Sequence, residues 1–146
     1  MKLVVDASVA VKWFLPDSPR EPDADQAGAL LRAIGEGRVE LLQPPHWLAE
    51  VAAVIARLRP EIAAEAIDLL DSMELATAAD AGLYKRASRL AQELDQHLFD
   101  TLYHALALEN DALLVTADDR YLRKAGRLGK IVALDRWTPP AEESRA

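Results

Sequence analysis

The chain has 146 residues and a mass of 16.0 kDa, a length that fits one domain of ordinary size. It contains no cysteine, which excludes disulfides, thiolate metal sites and cysteine nucleophiles. Its formal net charge of −7 excludes a uniformly basic surface, although it leaves room for a local basic patch.

Short apolar runs and helical patterns alternate along the chain. In chain order, they predict a strand at 2–5, a helix at 8–15, a helix from 23 or 25 to 36, a strand at 39–42, helices at 44–58 and 61–71, a strand at 73–75, helices at 80–94 and 97–109, a strand at 113–116, a helix at 118–125 and a strand at 131–134. Ser8 and Asp80 are the predicted caps of their helices. The alternation predicts an α/β fold, a mostly parallel sheet with helices on both faces.

The sequence shows no internal repeat and no linker. We therefore expect one domain over 1–137, followed by a disordered tail over 138–146 that has two prolines and no apolar pattern. No apolar run approaches the roughly 20 residues of a membrane span. Asp6 and Lys12 interrupt the apolar N-terminus, so we expect no signal peptide and a cytoplasmic protein.

Acidic residues follow two of the predicted strands. Asp6 comes directly after the first strand, and Asp118 and Asp119 follow the fourth strand, whose last residue is Thr116. Sites in open α/β sheets form at the carboxyl ends of strands, which favours a functional role. Each of these aspartates could instead cap the helix that follows it.

Two further carboxylates stand on helices among apolar residues. Glu50 falls within the apolar stripe of its helix, where a carboxylate is costly unless something compensates it. Asp100 lies between Phe99 and Thr101 in a largely apolar helix. The alternatives are a glutamate favoured by the helix dipole and an aspartate on an exposed polar stripe.

These acids could converge at one edge of the sheet. Clustered carboxylates repel one another and their pKa values rise unless a cation neutralises them. An all-oxygen set of ligands suits Mg²⁺ or Mn²⁺ rather than zinc, and such ions serve in phosphodiester hydrolysis. The histidines, His46, His97 and His104, show no zinc-ligand spacing, and we expect His104 to be a surface or half-buried helix residue.

Basic residues concentrate after the last acidic pair. Arg120, Arg123, Lys124 and Arg127 are spaced at three and four, so they can share one helix face beside the site. We expect this face to bind RNA phosphates, the alternative being a solvated face that keeps the protein soluble.

Four sequence blocks, in order, resemble the PIN-domain family and within it the VapC-type toxin ribonucleases. The blocks are VVDASVAVKWF, PPHWLAEVAAVIAR, LFDTLYHALALEN and LLVTADDRYLRKA, and with the strands around them they span 2 to about 134. The resemblance implies a three-layer α/β/α fold with a parallel sheet of order 3-2-1-4-5. It implies that the metal-binding and catalytic acids are Asp6, Glu50, Asp100 and Asp118, with Thr116 and Asp119 in secondary roles.

The resemblance also implies an activity and partners. It implies Mg²⁺- or Mn²⁺-dependent endonucleolytic cleavage of single-stranded RNA, inhibition by a cognate antitoxin protein, and a homodimer. The alternatives are a PIN-domain nuclease of RNA processing that is not a toxin, and a catalytically silent PIN fold that only binds. A haloacid-dehalogenase-type phosphatase is disfavoured because Ser8 stands where its second aspartate is needed, and a response-regulator receiver because an early acidic pair is absent.

Overall fold

A computed structural model of the chain describes residues 1–16, 18–19 and 21–141. Its centre is one five-stranded sheet in which every strand pair is parallel and the order is β3-β2-β1-β4-β5. The strands are β1 (Lys2–Val5), β2 (Glu40–Gln43), β3 (Ala76–Thr77), β4 (Leu113–Thr116) and β5 (Ile131–Ala133). Both the predicted fold class and the strand order are confirmed.

Helices connect the strands and cover both faces of the sheet. They are α1 (Ala7–Ala10), α2 (Ala24–Gly35), α3 (Trp47–Leu58), α4 (Ala63–Ser72), α5 (Ala81–Leu94), α6 (Leu98–Glu109) and α7 (Asp119–Ala125). Short 3₁₀ turns adjoin three of them, at Val11–Trp13, Pro60–Ile62 and Gly126–Leu128, and a fourth follows β5 at Leu134–Arg136. None of the helices in the described ranges is long and apolar enough to cross a membrane.

Alternation along β1 divides the core into two apolar clusters. Val4 packs into the larger cluster with residues of α3, α5 and α6, whereas Leu3 and Val5 pack into the smaller one with Leu30 of α2. Successive side chains of a strand point to opposite faces, so one strand serves both clusters. The sheet is therefore the middle layer of an α/β/α sandwich. The carboxyl ends of its strands carry the candidate site described below.

Three sequence predictions about elements need correction. The first helix begins at Ala7 and is capped by Asp6, not Ser8. The third strand lies at Ala76–Thr77, because 73–75 completes the turn after α4, where Met73 and Glu74 bond back to α4 carbonyls. Asp23 precedes α2 but makes no side-chain capping bond. In the predicted tail, residues 138–141 form no helix or strand, and 142–146 lie outside the described part.

Candidate active site

Asp6 stands at the carboxyl end of the central strand β1. Its backbone N–H donates to the carbonyl of Val115 at 3.0 Å, which holds it against the end of β4. Its carboxylate accepts hydrogen bonds from the backbone N–H of Ser8, at 3.2 Å, and from Ser8 Oγ. The same hydroxyl accepts from the N–H of Ala117 at 3.1 Å, so Ser8 ties the ends of β1 and β4 together. Asp6 is thus both the cap of α1 and a residue of the sheet edge.

Burial raises the pKa of Asp6 to about 6, from an ordinary 3.8. The hydrogen bonds from Ser8 oppose this shift because they stabilise the charged form. The negative charges of Glu50 and Asp100 add to the rise. The carboxylates of two helices therefore act on the carboxylate of the central strand.

Glu50 lies in the first turn of α3 and is held from two sides. Its Oε1 accepts a 2.8 Å hydrogen bond from the hydroxyl of Tyr103, a buried residue of α6. His46 Nε2 lies 2.9 Å from the same oxygen and 2.9 Å from the carbonyl oxygen of Phe99. Both partners of Nε2 are acceptors, so this nitrogen carries the proton of the ring. The orientation of Glu50 is therefore defined by α6 as well as by its own helix.

Asp100 lies in the first turn of α6 and faces a cleft. Its Oδ2 accepts a 2.9 Å hydrogen bond from Gln96 Nε2. The cleft has a volume of about 610 Å³, and its lining includes Asp100, His97 and Arg120. Asp100 is partly exposed there, so the predicted alternative of a wholly exposed stripe does not describe it: its neighbours Thr101, Leu102 and Tyr103 are buried.

The turn after β4 holds the fourth acid. Asp118 Oδ1 accepts a 3.1 Å hydrogen bond from the N–H of Tyr121 and so caps α7. The N–H of Asp118 donates to Oγ1 of Thr116 at 3.1 Å, and Thr116 is buried at the end of the strand. Asp119 is exposed in the first turn of α7. Asp118 shares with Asp6 the combination of a capping bond and a place at the sheet edge.

Burial and the negative charges of these acids raise the pKa values of two tyrosines. Burial raises the pKa of Tyr121 first, and the negative charges of Asp100, Asp6 and Asp118 raise it further. Burial likewise raises the pKa of Tyr103, with added contributions from Glu50 and Asp6. The four predicted acids therefore surround one region of the structure.

The carboxylates of these acids accept hydrogen bonds from protein groups and do not converge on one common point. Within 1–16, 18–19 and 21–141, no three or more Asp, Glu or His side chains form a group that could hold a metal ion. Asp6 is bonded to Ser8, Glu50 to Tyr103, and Asp100 to Gln96. A cation would have to draw carboxylate oxygens away from some of these partners.

His104 corrects one expectation from the sequence. It is fully buried, not a surface or half-buried residue. Its Nε2 donates to the carbonyl of Gly129 at 2.8 Å, and its Nδ1 accepts from the hydroxyl of Tyr121 at 2.9 Å. Burial lowers its pKa. His104 connects α6 to α7 and to the turn before β5.

The basic residues predicted to bind RNA spread over two elements. Arg120, Arg123 and Lys124 lie on α7, but the α-helix ends at Ala125 and Arg127 falls in the following 3₁₀ turn. Arg120 reaches the cleft of Asp100. Lys124 Nζ donates to the carbonyl of Asp95 at 2.8 Å, and Asp95 lines the same cleft.

Sequence reasoning missed several residues that hold the acids in place. Gln43 is fully buried at the end of β2, where its side chain accepts from the N–H of Val5 and donates to the carbonyl of Val5, both at 2.8 Å. It thereby fixes the residue before Asp6. Ser8, Tyr103 and His46 act directly on the carboxylates. A polar residue closing an apolar strand, as Gln43 does, was the one available signal.

Comparisons with known proteins cover most of the chain. A model of the PIN domain matches residues 3–128. A chain from the solved structure of VapBC2 from Rickettsia felis, bound to a DNA fragment from their promoter, has a similar fold with a TM-score of 0.64. The identity is 17%, and the similarity covers 91% of this chain and 97% of that one. No curated protein matches.

Proposed function

The chain belongs to the PIN-domain family, and from that premise we propose that it is a metal-dependent endoribonuclease that cleaves single-stranded regions of RNA. We assign the catalytic domain to residues 1–137. The proposed biological role is that of the toxin in a toxin–antitoxin pair in the cytoplasm.

The observation that carries this proposal is the carboxylate cluster around the ends of β1 and β4. Burial raises the pKa of Asp6, and the negative charges of Glu50 and Asp100 raise it further, as expected for carboxylates that lie near one another. The donor atoms are all carboxylate oxygens, which suit Mg²⁺ or Mn²⁺. When bound, such an ion activates water and stabilises the leaving oxygen of a phosphodiester.

The chain's own residues would hold and orient this site. The proposed ligands are Asp6, Glu50, Asp100 and Asp118, with Thr116 and Asp119 in supporting positions. Ser8 orients Asp6, and Tyr103 donates to Glu50. Tyr103 is a neutral donor at pH 7, as an ordinary tyrosine is, and burial raises its pKa further, so it does not add a negative charge.

Phosphates of the RNA must be held by positive charge, because the acids themselves repel them. We assign this role to Arg120, Arg123, Lys124 and Arg127, which follow Asp118. Arg120 lines the cleft that contains Asp100, so an arginine stands within reach of a strand passing the acids. Each phosphate contact of this kind contributes to affinity and to its salt dependence.

The proposed protein partners are a cognate antitoxin and a second copy of the chain. An apolar cleft of about 590 Å³ supports the proposal of an antitoxin partner. Its lining includes Trp13 and Phe14 with Leu31, Leu69 and Met73. Leu69 is 60% exposed, and exposed apolar surface of this kind marks interaction sites. The similar fold of a chain in the VapBC2 structure points the same way.

The deciding experiment measures cleavage of a single-stranded RNA with Mg²⁺ or Mn²⁺ and with EDTA. We expect cleavage only with the metal, and a loss of several orders of magnitude in Asp6→Asn. Asparagine is also a good N-cap, so this variant should keep its helix and its circular dichroism spectrum. The matched control is Asp68→Asn, an exposed aspartate of α4, which should cleave normally. Full activity in EDTA contradicts the mechanism.

Two outcomes separate the alternatives. RNA binding without cleavage in any metal would indicate a silent binding module. Cleavage without growth arrest on expression, and without a complex when the product of the neighbouring gene is co-expressed, would indicate a nuclease of RNA processing. In the toxin case that complex should be lost in Leu69→Glu.

A further inference from the structure

A ladder of three aromatic rings stands beside the acids. Phe99 stacks on His46, with centroids 5.2 Å apart and planes inclined by 27°. It also stacks on His97, at 6.1 Å and 18°. Phe99 is the residue before Asp100, and His46 contacts Glu50, so the ladder joins two of the four acids. We refer to His46, Phe99 and His97 as the aromatic ladder.

The inner end of the ladder is rigid and its outer end is open. The bonds of His46 Nε2 to Glu50 and to the Phe99 carbonyl fix the imidazole, and Tyr103 packs against it at 4.8 Å. Phe99 is 51% exposed, among the largest exposures of any apolar side chain described. His97 is exposed too, and it lines the same cleft as Asp100 and Arg120.

We propose that the aromatic ladder is a stacking platform for an unpaired base of the RNA substrate. This inference rests on the proposed function and adds to it a base-contacting surface. Of the three rings, His97 lines the cleft, and Phe99 is exposed between two residues that also line it, Leu98 and Asp100. Single-stranded nucleic acids bind to exposed aromatic rings through their bases.

Charge favours a nucleobase as the occupant. The protein carries a net charge of −7, and the acids around the cleft repel every phosphate that approaches. Stacking on an uncharged ring supplies affinity that this repulsion does not reduce. Arg120, which lines the same cleft, can hold the phosphate of the nucleotide whose base is stacked. A paired base in a duplex has no free face, so the platform also selects single strands.

The test replaces the aromatic ring of Phe99 with an aliphatic side chain, which remains apolar. In Phe99→Leu, we expect KM for a single-stranded RNA to rise roughly 5- to 100-fold, the range for loss of one base stack. We expect kcat to change little, because Phe99 is not a ligand. The salt dependence of binding should keep its slope, since no charge is removed. Phe99→Tyr should restore KM. The matched control, Tyr84→Leu, removes an aromatic side chain of α5 that is 43% exposed and should change nothing.

An abasic scan of the RNA distinguishes stacking from a structural effect. Removing the stacked base should raise KM of the native enzyme by the same factor and should leave Phe99→Leu unaffected. A merely structural role would instead weaken binding of native and abasic RNA alike. A 2-aminopurine placed at that position should be quenched by the native protein and less so by Phe99→Leu.

The outcomes keep the two proposals apart. If the native protein cleaves RNA and Phe99→Leu has an unchanged KM, the ladder is not the platform and the nuclease stands. If the native protein neither binds nor cleaves RNA with Mg²⁺ or Mn²⁺, the proposed function fails and the ladder fails with it.

Discussion

Asp6 has a place both in the fold and in the proposed site. It caps α1, and it also lies half-buried at the edge of the sheet, where the negative charges of Glu50 and Asp100 act on it. Its pKa is higher in the native state than in the unfolded chain, so the native state binds more protons between about pH 4 and 6. Its contribution to stability is therefore complete below pH 4 and is lost as the pH rises through 6.

At the residue scale, this linkage predicts that Asp6→Asn stabilises the metal-free protein at neutral pH. One pKa unit corresponds to about 1.4 kcal/mol, so the shift sets an upper limit of about 3 kcal/mol. Urea unfolding at pH 4 and pH 7 in EDTA measures it. The stability difference between variant and native protein should grow over this range. A destabilised Asp6→Asn at pH 7 would mean that capping outweighs burial of the charge.

Helix α6 carries the site on one side and the core on the other. Glu50 is oriented by Tyr103 of this helix, and Asp100 lies in its first turn, whereas His104 bonds to Tyr121 of α7 and to Gly129. Gly129 has a φ of 75°, which a glycine adopts without strain, and it precedes β5. The imidazole thus ties the helix of one acid to the helix that Asp118 caps.

We predict that His104→Ala destabilises the protein by about 2–4 kcal/mol, because it leaves a cavity and removes the partner of the buried Tyr121 hydroxyl. The native histidine favours its neutral form when buried, so its contribution is present above pH 6.5 and is lost as the pH falls below it. Denaturation at pH 7.5 and 5.5 should show this loss in the native protein and a smaller one in the variant. An equal loss in both would assign the acid sensitivity to another group.

Substitutions on helix α7 test whether its basic residues bind the phosphates of the RNA. In Arg123→Gln combined with Lys124→Gln, we expect weaker RNA binding and a salt slope reduced by about 0.7 for each lost contact. The turnover at saturating RNA should stay nearly constant because neither residue is a ligand. The control is Arg57→Gln combined with Arg59→Gln, which removes the same charge from the end of α3. An unchanged slope in the first pair would direct attention to Lys85, Arg86 and Arg89.

At the scale of the whole molecule, topology brings the acids together. β1 and β4 are neighbours although they lie far apart in the chain, and the connections leave them in opposite directions across the sheet. In such open parallel sheets the carboxyl ends at this switch point form a crevice. Helices α3 and α6 both pack in the larger apolar cluster on one face of the sheet. They add Glu50 and Asp100 from that face.

Metal binding should therefore stabilise the native state by mass action. At a free metal concentration 100 times Kd, the gain is about 2.7 kcal/mol. For a chain of this size that is a rise in Tm of about 5–10 °C. Differential scanning calorimetry with Mn²⁺ and with EDTA measures it, and Asp6→Asn and Asp118→Asn should show a smaller rise. An equal rise in Asp68→Asn and in these variants would place the metal elsewhere.

Local sequence predicted most of the elements and singled out the acids of the proposed site. Apolar periodicity and helix caps act within a few residues, so β1, β4, α5 and α7 were predicted to within one residue. The third strand was misplaced because it has two exposed residues and no apolar pattern of its own. Asp6, Glu50, Asp100 and Asp118 stood out because a carboxylate beside buried residues needs compensation. The strand order came from resemblance to a family, not from any local pattern.

Only the tertiary structure decided what each polar side chain contacts. Gln43 bonds to Val5 across 38 residues, and Ser8 bonds to Ala117 across 109, so no local pattern contains either pair. The burial of His104 depends in the same way on Tyr121 and Gly129, and the aromatic ladder on His46 meeting Phe99 from another helix. Sequence composition determines which groups need partners, because burial makes an unpaired polar group costly. Packing of distant elements determines which partners they find.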